Sequence, residues 1–298
     1  MRTDLQRIAA EKEAERVVKE HGFTAPPVCP IEIAKRNDIT VESKLTADPG
    51  VAGFLLRVGD AFGIMYSANV ESPGFRRFTV AHELGHYFMP GHPEIIFREK
   101  DCHVSKFGFE SSERHEREAD FFATALLMPQ ALFKSAMNRH SPGIEAIKAL
   151  SELFETSLTA TAIRYAQLTP DPVAVLVSKG RSVEYCFLSE TLQDLPRCRW
   201  PQKGTLLGPS TATARFNSNP QSFGSCAETY GTGTLDQWLS GAPHVSVHED
   251  VIGLGAYGKT LTVIFSDAPI DTDDYQDRME DEEYDEDDRL PSERWGSR

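Results

Sequence analysis

The spacing of hydrophobic and polar residues changes along the chain and divides it into segments. Residues 4–19 carry charged side chains through a helical pattern and predict an exposed helix. Three short runs then have the β-branched and apolar composition of strands, at residues 39–43, 51–58 and 61–66. Gly59-Asp60 joins the last two runs and is typical of a hairpin turn. This part of the chain therefore predicts a helix followed by a small sheet.

Helical spacing returns in two stronger segments. Ser72 followed by Pro73 is typical of a helix start, and apolar residues continue the helix at positions 75, 78, 80, 84 and 88. A second helix is predicted over 112–127. Residues 94–112 mix polar and aromatic side chains and are interpreted as a surface insertion. Three further helices are predicted at 130–137, 143–154 and 158–168.

The composition changes again near Pro170. Strand-like apolar runs occupy 173–177, 183–188 and 261–265, separated by segments rich in glycine and proline. The fold class is therefore predicted as α+β. The predicted segments are an N-terminal domain at 1–140, a helix-turn-helix-like helical extension at 141–170, a β-rich C-terminal domain at 171–270 and a disordered acidic tail at 271–298.

The net charge of −14 is concentrated at one end of the chain. Residues 271–288 hold twelve acidic side chains against a single arginine, which predicts a solvated, disordered segment. The rest is mildly acidic and lacks the basic footprint of a nucleic-acid-binding protein. The five cysteines are scattered, without a C-x-x-C pair, so neither a disulfide framework nor a thiolate metal site is indicated. Without an apolar leader or membrane-length run, the expected location is the cytoplasm.

The residues that indicate chemistry form an H-E-x-x-H motif. His82 and His86 are four residues apart, so both imidazoles leave the same face of a helix and can bind one metal ion. Glu83 is placed to act as a general base that activates water. An exposed helix with two surface histidines is the simpler alternative. The apolar residues before the motif, the small Gly85 and the carboxylate-rich helix that follows favour the metal site.

A third ligand is needed, because catalytic zinc has three protein ligands and one open position. The second helix offers candidates at Glu113, His115, Glu116, Glu118 and Asp120. Glu116 and Asp120 are four residues apart and share a face, so one can bind the metal while the other orients a histidine ligand. We assign Glu116 as the third ligand and Asp120 as the orienting carboxylate.

Two sequence blocks carry a resemblance to a known family. Residues 76–86, R-R-F-T-V-A-H-E-L-G-H, and residues 116–129, E-R-E-A-D-F-F-A-T-A-L-L-M-P, resemble the ImmA/IrrE metallopeptidases. The resemblance covers about residues 5–170 and implies that the domain at 1–140 is a zincin-like metallopeptidase domain that binds Zn²⁺. It also implies the same ligands, with Glu83 as the general base. The long segment between the blocks departs from the family pattern and contains His92, His103 and His115; the pair Cys102-His103 is expected to be solvated.

The resemblance also implies a function, which is cleavage of a helix-turn-helix transcriptional repressor to derepress stress or mobile-element genes. A different class of function remains open, a non-proteolytic zinc-containing sensor that docks to a repressor, with residues 171–270 as the sensing module. Residues 143–168 have a helix-turn-helix rhythm, but they are not basic enough for phosphate contacts, so direct DNA binding is not expected.

Overall fold

The computed structural model describes residues 2–270, apart from residues 47, 49, 71, 107–112, 220, 223–225, 268 and 269. The predicted acidic tail at 271–298 lies outside the described residues. The chain divides into two compact units. The N-terminal unit comprises residues up to Ser141 together with Glu145–Leu168, and the C-terminal unit comprises Pro142–Ile144 and the described residues from Thr169 onward. The finer division into four segments stays a prediction.

The N-terminal unit combines eight of the described helices with a four-stranded sheet. Its strands are β1 (Thr40–Lys44), β2 (Val51–Val58), β3 (Ala61–Ser67) and β4 (Cys102–Lys106), in the spatial order β1-β3-β2-β4. The helices are α1 (Arg2–Glu20), α2 (Pro30–Arg36), α3 (Pro73–Phe88), α4 (His92–Ile96), α5 (Arg114–Leu127), α6 (Gln130–Met137), α7 (Ile144–Phe154), which begins in the C-terminal unit, and α8 (Leu158–Leu168).

The sheet is mixed, because β1 pairs with β3 in parallel while β2 runs antiparallel to both of its neighbours. Val58 pairs with Ala61, so Gly59 and Asp60 form the two-residue hairpin turn that their composition predicts. Gly59 has a φ of 62°, which glycine adopts without steric cost.

Strand β4 corrects the interpretation of residues 94–112 as a surface insertion. Part of that segment pairs antiparallel with β2 and forms one edge of the sheet. The strand is only five residues long and only one of its side chains is fully buried. The alternation of buried and exposed side chains in β4 is therefore too short to be recognised in the sequence. The strand forms by pairing with the edge of β2 that β3 leaves open.

Helix α1 corrects a second expectation, that residues 4–19 form an exposed helix. Ala10, Ala14 and Val17 are fully buried, and α1 packs against α5. These residues follow helical spacing, but alanine contributes little hydrophobicity to a pattern dominated by charge. Its small side chain nevertheless allows two helices to approach closely.

The C-terminal unit contains a five-stranded antiparallel sheet. Its strands are β5 (Val173–Lys179), β6 (Ser182–Leu188), β7 (Glu228–Thr234), β8 (Ser246–Gly253) and β9 (Thr260–Phe265), in the order β6-β5-β9-β8-β7. The short helices α9 (Glu190–Gln193) and α10 (Ala212–Asn217) lie between strands in sequence. The central strand β9 and its neighbour β5 are almost continuously buried. The predicted α+β class is confirmed. None of the described helices is long and apolar enough to span a membrane.

Candidate metal centre

Helix α3 carries the H-E-x-x-H residues into the core of the N-terminal unit. The Ser72 side chain caps the helix by accepting a hydrogen bond from the backbone N–H of Phe75. From Thr79 to His86 every side chain of the helix is buried. His82 and His86, one turn apart, bring their Nε2 atoms to 3.2 Å from each other. The helical spacing thus places both imidazoles at one point, away from solvent.

Helix α5 brings a carboxylate to the same point. Glu116 lies in its first turn, with Oε2 3.3 Å from His82 Nε2 and Oε1 3.4 Å from His86 Nε2. Donor atoms of these three residues all lie within 4.8 Å of one another. The structure therefore brings together the three residues that the sequence predicts as metal ligands.

The close packing of α3 on α5 depends on a glycine. A β-carbon on Gly85 would lie 3.1 Å from Ala119 Cα and 3.2 Å from its carbonyl oxygen. Those atoms belong to the backbone and cannot rotate away. Gly85 therefore lets the two helices approach closely enough for Glu116 to reach the histidines.

Asp120, one turn after Glu116, orients the first histidine. Its Oδ1 lies 2.8 Å from His82 Nδ1. An ionised carboxylate only accepts hydrogen bonds, so Nδ1 donates and the Nε2 atom faces Glu116 and His86. This is the arrangement in which a histidine offers Nε2 to a metal while a carboxylate holds the other ring nitrogen.

The charge distribution suits a cation at this point. Burial lowers the pKa of His86 to about 3, which leaves that ring neutral with a lone pair to offer. Burial also acts to lower the pKa of His82, but its hydrogen bonds to Asp120 and Glu116 outweigh that effect and raise the pKa to about 10. His82 therefore holds a proton while His86 stays neutral, so the two histidines together favour one positive charge. Two imidazoles and a carboxylate, tightly grouped and buried, match the ligand types of a catalytic zinc site.

Glu83 lies beside this cluster and is fully buried. Burial raises the pKa of its carboxyl group above the ordinary value. The strand β2 makes room for this side chain, since a β-carbon on Gly53 would lie 2.9 Å from Glu83 Oε1. The sheet and the helix together hold a carboxyl group next to the predicted ligands, where a base acting on water would have to be.

Comparison with known proteins agrees with this geometry. Residues 34–165 match the model of a peptidase family described as the IrrE N-terminal-like domain. These residues belong to the ImmA/IrrE metallopeptidase family. The matched segment contains His82, Glu83, His86, Glu116 and Asp120 and ends within α8.

Two curated relatives are members of the same metallopeptidase family. The radiation response metalloprotease IrrE of Deinococcus radiodurans is 29% identical over 105 residues, which is 35% of this chain and 31% of the relative. Its counterpart in Deinococcus deserti is 30% identical over 105 residues, 35% of this chain and 36% of the relative. The match thus spans about a third of the length of either relative.

A solved structure is similar in fold. A Mycobacterium tuberculosis transcriptional regulator superimposes with a TM-score of 0.53 at 14% sequence identity, covering 89% of this chain and 82% of the other. At this identity the similarity concerns the fold alone.

Three further histidines of this metallopeptidase-family domain surround the predicted ligands. His103, expected to be solvated, instead has a side chain only 14% exposed, and its Nε2 lies 3.0 Å from Glu116 Oε1. His115 Nε2 lies 3.4 Å from the same oxygen, and His92 is buried against His86. The sequence offered only their number as a signal, since their positions depend on how β4, α4 and α5 fold back onto α3.

A second group of potential donors shares one of the predicted ligands. Glu113, His115 and Glu116 also place donor atoms within 4.8 Å of one another. Glu113 has a side chain 65% exposed, so it lies at the rim of the cluster and not in its buried part. The buried group of His82, His86 and Glu116 is therefore the better metal centre.

Proposed function

We propose that the chain is a zinc-dependent endopeptidase that cleaves a helix-turn-helix transcriptional repressor. The observation that carries the proposal is the convergence of two buried imidazoles and one carboxylate beside a buried glutamate. His82, His86 and Glu116 would hold the zinc ion. A zinc ion held in this way would supply the Lewis acidity that activates water at neutral pH.

The chain's own residues supply the remaining chemistry. Glu83 is positioned to accept a proton from the attacking water and to donate it to the amine that leaves the cleaved peptide bond. Asp120 holds His82 with Nε2 directed toward the predicted metal position. Burial of the ligands excludes bulk water, so the charges act in a medium of low polarity, where electrostatic interactions are stronger.

The substrate part of the proposal rests on the family resemblance. The Deinococcus relatives are named radiation response metalloproteases, which supports a regulatory role over general digestion. A soluble helix-turn-helix repressor encoded beside the gene for this protein is the substrate to test.

The decisive experiment incubates the full chain with that repressor, with added zinc or with a chelator, and identifies fragments by mass spectrometry. We expect zinc-dependent cleavage at a defined site and no cleavage of an unrelated unfolded protein such as casein. Glu83→Gln should retain zinc and lose about 10²- to 10⁴-fold in rate, whereas the exposed Glu94→Gln should remain active.

Two outcomes would overturn the proposal. Cleavage that survives Glu83→Gln would exclude the proposed mechanism. Zinc binding and tight association with the repressor without any cleavage would instead indicate the non-proteolytic sensor that acts by docking.

A further inference from the structure

His92 is a buried histidine to which the proposed mechanism gives no role. Helix α3 ends at Phe88, and the chain then reverses through Gly91, whose φ of 83° lies in the left-handed region. His92 is the first residue of α4 and is only 2% exposed. The turn thus reverses the chain after the H-E-x-x-H helix, and this reversal buries His92.

Two contacts define the environment of this ring. His92 Nδ1 lies 3.3 Å from His86 Nδ1, and His92 Nε2 lies 3.1 Å from Glu118 Oε2. Glu118 also accepts a hydrogen bond from Arg114 Nε to its other oxygen, at 2.8 Å. An arginine partner keeps the carboxylate ionised and therefore purely an acceptor.

The placement of protons follows from these contacts. Since Glu118 only accepts, His92 Nε2 must carry the hydrogen. A neutral His92 then has a lone pair on Nδ1, which accepts the N–H of His86 Nδ1. His86 is consequently left with an unprotonated Nε2, and this is the atom that faces His82 and Glu116.

We propose that Glu118 and His92 form a positioning chain that fixes the tautomer and ring orientation of His86 for metal binding. The inference rests on the proposed function only in taking His86 as a metal ligand. His92 is not itself a ligand, because its ring contacts the Nδ1 side of His86, which is turned away from the cluster of donor atoms.

The geometry of α5 explains why this chain needs an intermediate residue. Asp120 lies on the same face of α5 as Glu116 and reaches His82 directly. Glu118 is two residues from either one, which places it about 200° around the helix axis. It lies 3.1 Å from His92, and His92 makes the contact with His86. One helix therefore supplies a predicted ligand and the carboxylates that orient both histidines.

The test compares two substitutions of His92 in the full chain. His92→Phe keeps an aromatic ring but removes the acceptor, whereas His92→Gln retains a side-chain oxygen that can accept the N–H of His86. Zinc affinity, measured by competition with a chromogenic chelator, should fall about 10- to 100-fold in His92→Phe. In His92→Gln it should stay close to the affinity of the native chain. The exposed His140→Gln is the matched control and should bind zinc like the native chain.

A second measurement needs neither zinc nor activity. Nitrogen-15 NMR of the histidine side chains in the metal-free protein should show His86 protonated at Nδ1 in the native chain. His92→Phe and Glu118→Ala should each shift the population of His86 toward the Nε2-protonated form. If His92→Phe fails to fold by circular dichroism, Glu118→Ala carries the same comparison.

Two results would refute the positioning chain: a native His86 protonated at Nε2, or an unchanged zinc affinity in both His92→Phe and Glu118→Ala. Failure of the proposed function is distinguishable from either result. A native protein that cleaves no repressor, but shows the expected tautomer and the expected losses of zinc affinity, would refute the peptidase activity and leave the positioning chain standing.

Discussion

Gly53 lies against the carboxyl group of Glu83, so that a β-carbon on Gly53 would come within 2.9 Å of Glu83 Oε1. The same β-carbon would lie 3.2 Å from the carbonyl oxygen of Met65 on the neighbouring strand. Glycine is therefore required at this position of β2 by the approach of a helix side chain to the sheet. The β-carbon would come closest to Thr79 Cγ2, at 2.5 Å, so a larger residue must displace Thr79 as well as the proposed general base or the strand.

Gly53→Ala should consequently separate catalysis from metal binding. The three atoms nearest to the added methyl group belong to Thr79, Glu83 and Met65, so the Glu83 carboxyl is displaced while none of the predicted metal ligands is among its nearest contacts. We expect the cleavage rate to fall about 100-fold, as displacements near 1 Å do at reacting centres, with little change in zinc affinity. Rates and chelator competition measured on the same preparation check this, and an equal loss of both would indicate general damage to the fold.

Gly63→Ala is the matched control for that substitution. Gly63 lies on β3 of the same sheet, and a β-carbon there would meet only Thr40 O, at an ordinary 3.8 Å. This variant should remain as active as the native chain. A comparable loss of activity in both variants would contradict a specific role for the space at Gly53.

We expect Asp120 to strengthen zinc binding through the oxygen that accepts a hydrogen bond from His82 Nδ1. Asp120→Ala removes that oxygen and should weaken zinc binding about 10- to 100-fold. Asp120→Asn keeps an oxygen in the same place and should lose much less. Zinc affinities of the two variants provide the measurement. Equal losses would show that the carboxylate charge, and not the hydrogen bond, is what the site requires.

Glu116 should be indispensable for metal retention. Glu116→Ala leaves two imidazole ligands, so the variant should lose zinc during dialysis against a chelator concentration that the native chain withstands. Metal content by atomic absorption gives the result. Glu113→Gln is the informative control, because Glu113 belongs to the second donor group with His115. Because Glu116 belongs to both groups, zinc lost in Glu113→Gln as well as in Glu116→Ala would place the metal at the rim.

Glu249 should make the stability of the C-terminal unit depend on pH. Its side chain is fully buried, and burial raises the pKa of the carboxyl group, although the backbone N–H groups of Thr213 and Ala212 oppose the shift. Between the ordinary and the raised pKa, the folded unit keeps a proton that the unfolded chain has released. The stability that Glu249 contributes to the folded unit is therefore present at low pH and is lost as the pH rises through that interval.

Glu249→Gln removes this titration. The free energy of unfolding of the variant, relative to the native chain, should therefore increase as the pH rises from about 4.5 toward 8. Urea titrations followed by tryptophan fluorescence measure it, since all three tryptophans follow Thr169 in the sequence. A difference between the two proteins that stays constant with pH would show that Glu249 keeps its ordinary pKa.

The sequence by itself determined those parts of the site that depend on helical periodicity. Four-residue spacing is sufficient to put His82 and His86 on one face of a helix, and the same spacing pairs Glu116 with Asp120. The hairpin at Gly59-Asp60 is equally local, because two residues with turn preferences between apolar runs specify it. These features could be predicted because each involves residues a few positions apart, whose geometry follows from backbone conformation alone.

Only the tertiary structure decided the contacts between segments distant in sequence. The approach of Glu83 to Gly53, the packing of Gly85 on Ala119 and the burial of α1 each depend on how whole elements meet. His103 lies in the segment that the sequence predicts as a surface insertion, and its burial and that of His92 depend on the pairing of β4 with β2 and on the folding of α4 back onto α3. Such contacts arise from the packing of many side chains at once, so no short pattern in the sequence specifies them.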